Sequence, residues 1–238
     1  MFETELHGNQ VVPAVNTNAE GEGFVLLNAQ QTKITVVLAF ESLANRPTSA
    51  QIHGPALRGA NAPVVFDLGP INSFRRGNGW VGVTNIKTFD ITPQQAAQIR
   101  GGLWYIDIHS QNRPNGEIRG QLTAENEDRS LTSTQTGSDV PAQVEPNAAN
   151  VSLSGRVLGP DGRGLRNATV TIVDQNGMTR IVTTSSFGYY QFDDIVAGQP
   201  YLISVTSRRF HYTPRILQLN DSLADTDFVG LDSEEIKQ

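Results

Sequence analysis

Short runs in which apolar and polar residues alternate recur along the whole chain of 238 residues. In the clearest run, residues 32–40, every second side chain is apolar and points to one face of an extended strand. These side chains are Ile34, Val36, Leu38 and Phe40. Such a run predicts a half-buried strand. The 22 glycines and 12 prolines punctuate the runs with turns, so the fold class predicted is all-β with many short strands.

One segment has a helical pattern instead. Thr92 can cap a helix, Pro93 fits the first helical position, and Gly101 follows the last helical residue. We therefore predict a single short helix between these residues.

The composition changes between residues 123 and 150, where polar residues predominate and no periodicity remains. This segment is predicted to be a long polar linker. Seven alternating runs follow it, with turns about every 8 to 12 residues, as in a sandwich or barrel. We predict two tandem β-sandwich or Greek-key domains, 1–122 and 151–238, and expect each to fold without the linker.

Composition also excludes several classes of function. With no cysteine, the chain has no disulfide, thiolate metal site or cysteine nucleophile, although this leaves its compartment open. The net charge is −6, and the pairs Arg75-Arg76 and Arg208-Arg209 are isolated, which argues against nucleic acid as a partner. No run reaches the roughly 20 apolar residues that cross a bilayer, so no membrane insertion is expected.

The first five residues, 1–5, lack the basic and apolar regions of a signal peptide, although a processed chain would look the same. Localisation must therefore be inferred from other features of the sequence.

Four motifs in order give the first domain a family resemblance. They are residues 6–15 (LHGNQVVPAV), 51–56 (QIHGPA), 104–110 (WYIDIHS) and 114–122 (PNGEIRGQL). Together they resemble the CHRD (chordin-type) domain family. The resemblance implies that residues 1–122 form an all-β module, extracellular or in the cell envelope, without established catalysis.

A second set of motifs lies in the second domain. They are residues 154–157 (SGRV), 164–170 (GLRNATV), 187–192 (FGYYQF) and 195–198 (IVAG). They are similar to the carboxypeptidase regulatory-like family, whose fold is similar to that of transthyretin. The residues themselves indicate a scaffold, with Gly188 in a tight turn and Tyr190 and Phe192 alternating into the sandwich.

The sequence lacks the motifs of common enzymes. No histidine is followed within four residues by the glutamate that a zinc peptidase would need, and there is no Gly-x-Ser-x-Gly elbow or phosphate-binding glycine loop. We therefore predict that the protein is not an enzyme.

A metal site is the sharpest alternative. His53 and His109 lie at strand ends inside the first-domain motifs, and imidazoles across a β-sandwich can bind copper or zinc in an oxidoreductase-like site. Asp107 lies on the same strand face as His109 and is the nearest outer partner. Relatives often have histidine where this chain has Gln51, which removes one ligand. In the competing interpretation His53 caps a turn and His109 faces solvent or a carbonyl group.

The leading prediction is a non-enzymatic, extracellular or cell-surface structural protein that needs no cofactor. Its partners would be further copies of itself, in a homopolymer, or components of the cell envelope. A third interpretation is a module that binds envelope polysaccharide through exposed aromatic residues, although strand alternation places most of these in the core. The aromatic candidates are Trp80, Trp104, Tyr189 and Tyr212.

The linker supplies the predicted assembly residues, Leu131 and Thr132. Extended at about 3.3 Å per residue, residues 123–150 could span roughly 90 Å and leave their own subunit. Residues 130–134 could then add as a strand to an open sheet edge of a neighbour. The alternative is that the segment packs back onto its own two domains.

Overall fold

The structure, a computed structural model, describes residues 1–124 and 150–231. The predicted assembly residues Leu131 and Thr132 lie outside these ranges. Within them the protein consists of strands and one α-helix, so the all-β prediction is confirmed. The described part of the chain contains no helix long and apolar enough to span a membrane.

The first domain contains one twisted sheet of eleven strands, ordered β5-β4-β9-β10-β1-β2-β3-β7-β6, with β11 added to β1 and β8 to β3. The strands are β1 (Phe2–His7), β2 (Glu20–Leu27), β3 (Lys33–Leu43), β4 (Pro47–His53), β5 (Val64–Asp67), β6 (Ile71–Arg76), β7 (Gly79–Thr84), β8 (Lys87–Asp90), β9 (Tyr105–Ser110), β10 (Arg113–Gln121) and β11 (Thr123–Ala124), with a short 3-10 helix at Gly8–Gln10. The apolar core includes the fully buried side chains of Leu6, Leu38 and Trp104.

Helix α1 (Pro93–Arg100) confirms the capping pattern. The Gln95 backbone N–H donates to the Thr92 hydroxyl at 3.2 Å, and the Thr92 backbone N–H donates to the Gln95 side chain at 2.9 Å. This reciprocal pair satisfies two N–H groups that a helix leaves without partners at its start. Ala96 and Ile99 are the buried residues by which the helix packs onto the first-domain core.

The second domain is a sandwich of a three-stranded sheet, β15-β12-β18, and a four-stranded sheet, β14-β13-β16-β17. All seven predicted strands are present: β12 (Asn150–Leu158), β13 (Thr169–Asp174), β14 (Thr179–Thr183), β15 (Tyr189–Val196), β16 (Gln199–Thr206), β17 (Arg215–Leu219) and β18 (Phe228–Val229). The pairing of β12 with β18 is parallel. The scaffold roles are confirmed: Tyr190 and Phe192 are buried, and Gly188 has a φ of +83° where a β-carbon would lie 2.4 Å from the Val157 carbonyl oxygen.

The two domains share an apolar interface. Leu26 and Val37 of the first domain and Leu202 of the second form one buried cluster. At its edge the Asn28 side-chain amide donates to Asn176 at 3.2 Å. Strand β3 is consequently buried on both faces, so the prediction that it is half-buried was wrong. The second domain covers the face of β3 that the alternating pattern predicted to be exposed to solvent.

Candidate functional site

His53 and His109 lie close together on neighbouring strands of the first domain. His53 is the last residue of β4, His109 lies in β9, and their parallel rings have centroids 6.4 Å apart. Asp107 stands between them, because its Oδ1 is 3.1 Å from His53 Nε2 and 3.0 Å from His109 Nε2. One carboxylate oxygen therefore contacts both imidazoles.

The strand register explains the cluster. In the antiparallel pairing of β4 with β9, Gln51 is opposite Asp107 and His53 is opposite Tyr105. Opposite residues, and residues two apart on one strand, point to the same face of a sheet. Strand alternation predicted Asp107 beside His109 alone, whereas the register brings His53 to the same carboxylate. Gln51 occupies the same face, and Asp107 supplies the third group of the cluster.

Backbone carbonyls fix the orientation of both rings. His53 Nδ1 lies 3.0 Å from the Ala62 oxygen, and His109 Nδ1 lies 2.7 Å from the Pro114 oxygen. A carbonyl oxygen can only accept, so each Nδ1 carries a proton and donates it. Each Nε2 is thereby turned toward Asp107. The interpretation of both histidines as partners of turns and carbonyl groups thus accounts for one nitrogen of each ring.

An aromatic and a cationic side chain, Tyr105 and Arg119, pack beside the cluster at His53. The His53 ring stacks on Tyr105 with centroids 4.7 Å apart, and the Arg119 guanidinium carbon lies 3.4 Å from the centroid of the Tyr105 ring. Arg119 also donates to the Ala60 carbonyl at 2.8 Å and to the Asn61 side chain at 3.2 Å. It therefore holds the loop whose next carbonyl orients His53. Only the position of Arg119 in the last first-domain motif could have pointed to this role.

Burial and hydrogen bonding act in opposite directions on the pKa values of Asp107 and His109. Burial alone would raise the pKa of Asp107, but hydrogen bonds from His109 and His53 outweigh it and lower that pKa. Burial similarly opposes protonation of His109, yet the Asp107 carboxylate raises its pKa above the ordinary value. The exposed fractions of the side chains are 9% for His53, 8% for Asp107 and 15% for His109, so the cluster is reached from the His109 side.

A second buried carboxylate, Glu117, was not singled out from the sequence. Its Oε1 accepts from the Thr17 hydroxyl at 3.0 Å and the Ala44 backbone N–H at 2.9 Å, and its Oε2 accepts from Ser110. These donors come from three separate parts of the first domain. Because these hydrogen bonds all lie within the first domain, Glu117 joins its separate parts and does not line the histidine cluster.

The aromatic candidates for polysaccharide binding do not form a surface. Trp104 and Tyr212 are fully buried in the cores of the first and second domains, and Trp80 packs partly against the first. Only Tyr189 among the four is exposed. The polysaccharide interpretation therefore loses its structural basis.

Family models match both parts of the chain. The CHRD domain model matches residues 2–122, and the carboxypeptidase regulatory-like domain model matches residues 152–226. The chain belongs to the CHRD family. Both resemblances seen in the sequence are thereby confirmed, and the histidine cluster lies in the CHRD domain. A comparison with curated proteins found no relative of this CHRD protein.

Solved structures similar to this CHRD protein are remote. The TIE protein of Bacillus anthracis has 9% identity and a TM-score of 0.29, over 90% of this chain and 26% of its own. BcpA, the major pilin subunit of Bacillus cereus, has 10% identity and a TM-score of 0.29, over 89% and 72%. The pilus backbone protein RrgB of Streptococcus pneumoniae has 10% identity and a TM-score of 0.28, over 87% and 50%. This chain thus spans about a quarter of the TIE protein and half of RrgB.

Proposed function

We propose that the protein is a non-enzymatic structural and interaction protein of the cell surface that associates with copies of itself through the second domain. The extracellular location is part of the proposal because resemblance to the CHRD family implies an extracellular or cell-envelope module. The two domains pack on a common apolar interface at Leu26, Val37 and Leu202, so a partner that binds one domain also holds the other. This arrangement suits a building block.

The observation that carries the proposal is the concentration of exposed apolar side chains in one stretch of the second domain. Among the described residues, five of the ten exposed large hydrophobic side chains fall between residues 178 and 196: Met178, Ile181, Phe187, Tyr189 and Val196. This stretch contains β14 and β15, an edge strand of each of the two sheets. Exposed apolar groups gathered in one region of a protein are typical of a contact surface.

The backbone pairing of these two edge strands is incomplete. Strand β14 pairs with β13 on one side and β15 pairs with β12 on one side. No strand within residues 1–124 or 150–231 pairs with their other sides. An open edge can accept a strand from another molecule, and Ile181 offers it apolar contact.

The strand that would be added is proposed to be the one predicted around Leu131 and Thr132. Proline at both positions removes two backbone N–H groups and blocks pairing in a ladder. A variant with Leu131→Pro and Thr132→Pro should therefore associate less than the parent protein, while both domains keep their circular dichroism.

The test of the surface itself is Ile181→Lys. A charge on the edge strand should abolish association, measured by light scattering and electron microscopy of concentrated protein, and should change the free energy of unfolding by less than about 0.5 kcal/mol. The matched control is Leu57→Lys, since Leu57 is 70% exposed and Ile181 is 62% exposed. A parent protein that is monomeric at high concentration, or equal association of both variants, would contradict the proposal.

A further inference from the structure

The hydrogen-bond pattern of the histidine cluster leaves three acceptor atoms facing one another. Because Nδ1 of each ring donates to a backbone carbonyl, a neutral His53 or His109 presents a bare lone pair at Nε2. Both lone pairs point at Oδ1 of Asp107, which is also an acceptor when ionised. When both rings are neutral, these three acceptors have no hydrogen between them and repel one another unless a proton or a metal ion joins them.

We propose that His53 Nε2, His109 Nε2 and a carboxylate oxygen of Asp107 bind a divalent transition metal ion of the zinc and copper type. This inference goes beyond the proposed surface function and does not depend on it.

The distances suit such an ion. The three ligand atoms all lie within 4.8 Å of one another, and the two contacts to Oδ1 are 3.0 and 3.1 Å. In a tetrahedral site with metal bonds of about 2.0–2.2 Å, neighbouring ligand atoms are about 3.3–3.5 Å apart. Small rotations of the two rings therefore give room for the ion.

The outer contacts also match those of bound metals. Histidines that bind a metal through Nε2 usually donate Nδ1–H to a carbonyl or carboxylate, which fixes the tautomer. Ala62 and Pro114 supply these carbonyls. Stacking on Tyr105 holds the His53 ring in the orientation that its hydrogen bond to the Ala62 carbonyl requires. The orientation is built into the domain before any metal arrives.

Ligand chemistry selects the class of ion. Two imidazole nitrogens and one carboxylate suit zinc, copper and related transition metals, whereas magnesium and calcium prefer oxygen ligands alone. Three protein ligands leave a further coordination position, and the greater exposure of His109 places that position toward solvent.

The test uses the full chain without an affinity tag, stripped with a chelator and then titrated with Zn²⁺ or Cu²⁺ against a chromophoric competitor. We expect one equivalent of metal per chain and no competition by Mg²⁺ or Ca²⁺. Titration with Co²⁺ should give the visible absorption of a low-coordinate nitrogen and oxygen site. A protein that binds none of these ions, and so holds only an ion-paired His-Asp-His cluster, would overturn the proposal.

Variants separate this site from other histidines. His53→Gln and Asp107→Asn should each weaken Zn²⁺ binding by about 100-fold or more, since loss of an outer partner alone costs 10- to 100-fold. His7→Gln is the matched control, because His7 forms another histidine and carboxylate pair, 3.5 Å from Glu5. Tryptophan fluorescence confirms that each variant is folded. Unchanged affinity in both Asp107→Asn and His53→Gln would also overturn the assignment.

Discussion

The two domains distribute polar and apolar residues in opposite ways. Among the described residues, ten buried polar or charged residues lie in the first domain and three in the second. Exposed large hydrophobic side chains show the reverse, with three in the first domain and seven in the second. A buried polar group is stable only when its partners are fixed around it, whereas an exposed apolar group gains from a partner outside. This contrast supports the internal site proposed for the first domain and the contact surface proposed for the second.

The largest expected effect comes from breaking the polar interior of the first domain. Glu117→Ala leaves the Ala44 N–H and two hydroxyl groups without their acceptor, and should lower the free energy of unfolding by about 3–5 kcal/mol. Both tryptophans, Trp80 and Trp104, lie in this domain, so urea unfolding followed by tryptophan fluorescence measures the effect there. Exposed Glu41→Ala is the control. Equal midpoints for the two variants would show that the Glu117 contacts are unimportant.

A smaller effect should follow from weakening the contact between the domains. Leu202 belongs to the second domain but packs on Leu26 and Val37 of the first, so Leu202→Ala should lower the stability seen by tryptophan fluorescence by about 3 kcal/mol. Val196→Ala, a change at an exposed second-domain position, should leave the same transition in place. If Leu202→Ala also leaves this transition unchanged, the domains unfold independently and the interface does not stabilise the first domain.

The smallest effect depends on pH and concerns His211, one of the few buried polar residues of the second domain. Burial and then the charge of Arg76 lower its pKa from 6.5 to about 4. The His211 ring also meets Phe74 of the first domain at a centroid distance of 5.7 Å. His211 lines a groove together with Glu5, Glu20, Glu22 and Glu41.

Because the unfolded chain binds a proton below about pH 6.5 and the folded His211 does not until about pH 4, stability should fall as the pH drops through this window. We expect the parent to lose about 1–3 kcal/mol more than His211→Gln between these pH values, measured by urea unfolding at each pH. Parallel losses in the two proteins would mean that His211 is protonated in the folded state or carries little of the effect.

The sequence could predict those features that depend on local pattern. The helix N-cap at Thr92 and the seven strands of the second domain follow from residue spacing alone. Strand β3 could not be predicted fully, because Val37 is buried by a domain more than 100 residues away in the chain.

The candidate site likewise combines features that local sequence pattern predicts with others that depend on long-range packing. His53, His109 and Asp107 were identifiable as residue types in motifs, but the contact between His53 and Asp107 depends on the β4–β9 register. The Ala62 carbonyl that orients His53 comes from a loop, and no residue pattern marks a backbone oxygen as a partner. Arg119 and Glu117 likewise acquire their roles only from long-range packing.

The pairing of first and last strands gives the two domains different responses to a pulling force along the chain. In the first domain β1 and β11 are antiparallel and Phe2 pairs with Ala124, so tension at the two ends meets at one residue pair and opens the ladder bond by bond. In the second domain β12 and β18 are parallel, and tension pulls them past each other, loading their hydrogen bonds together. In a filament joined through the second domains, as proposed above, such tension would open the first domains before it separated neighbouring subunits.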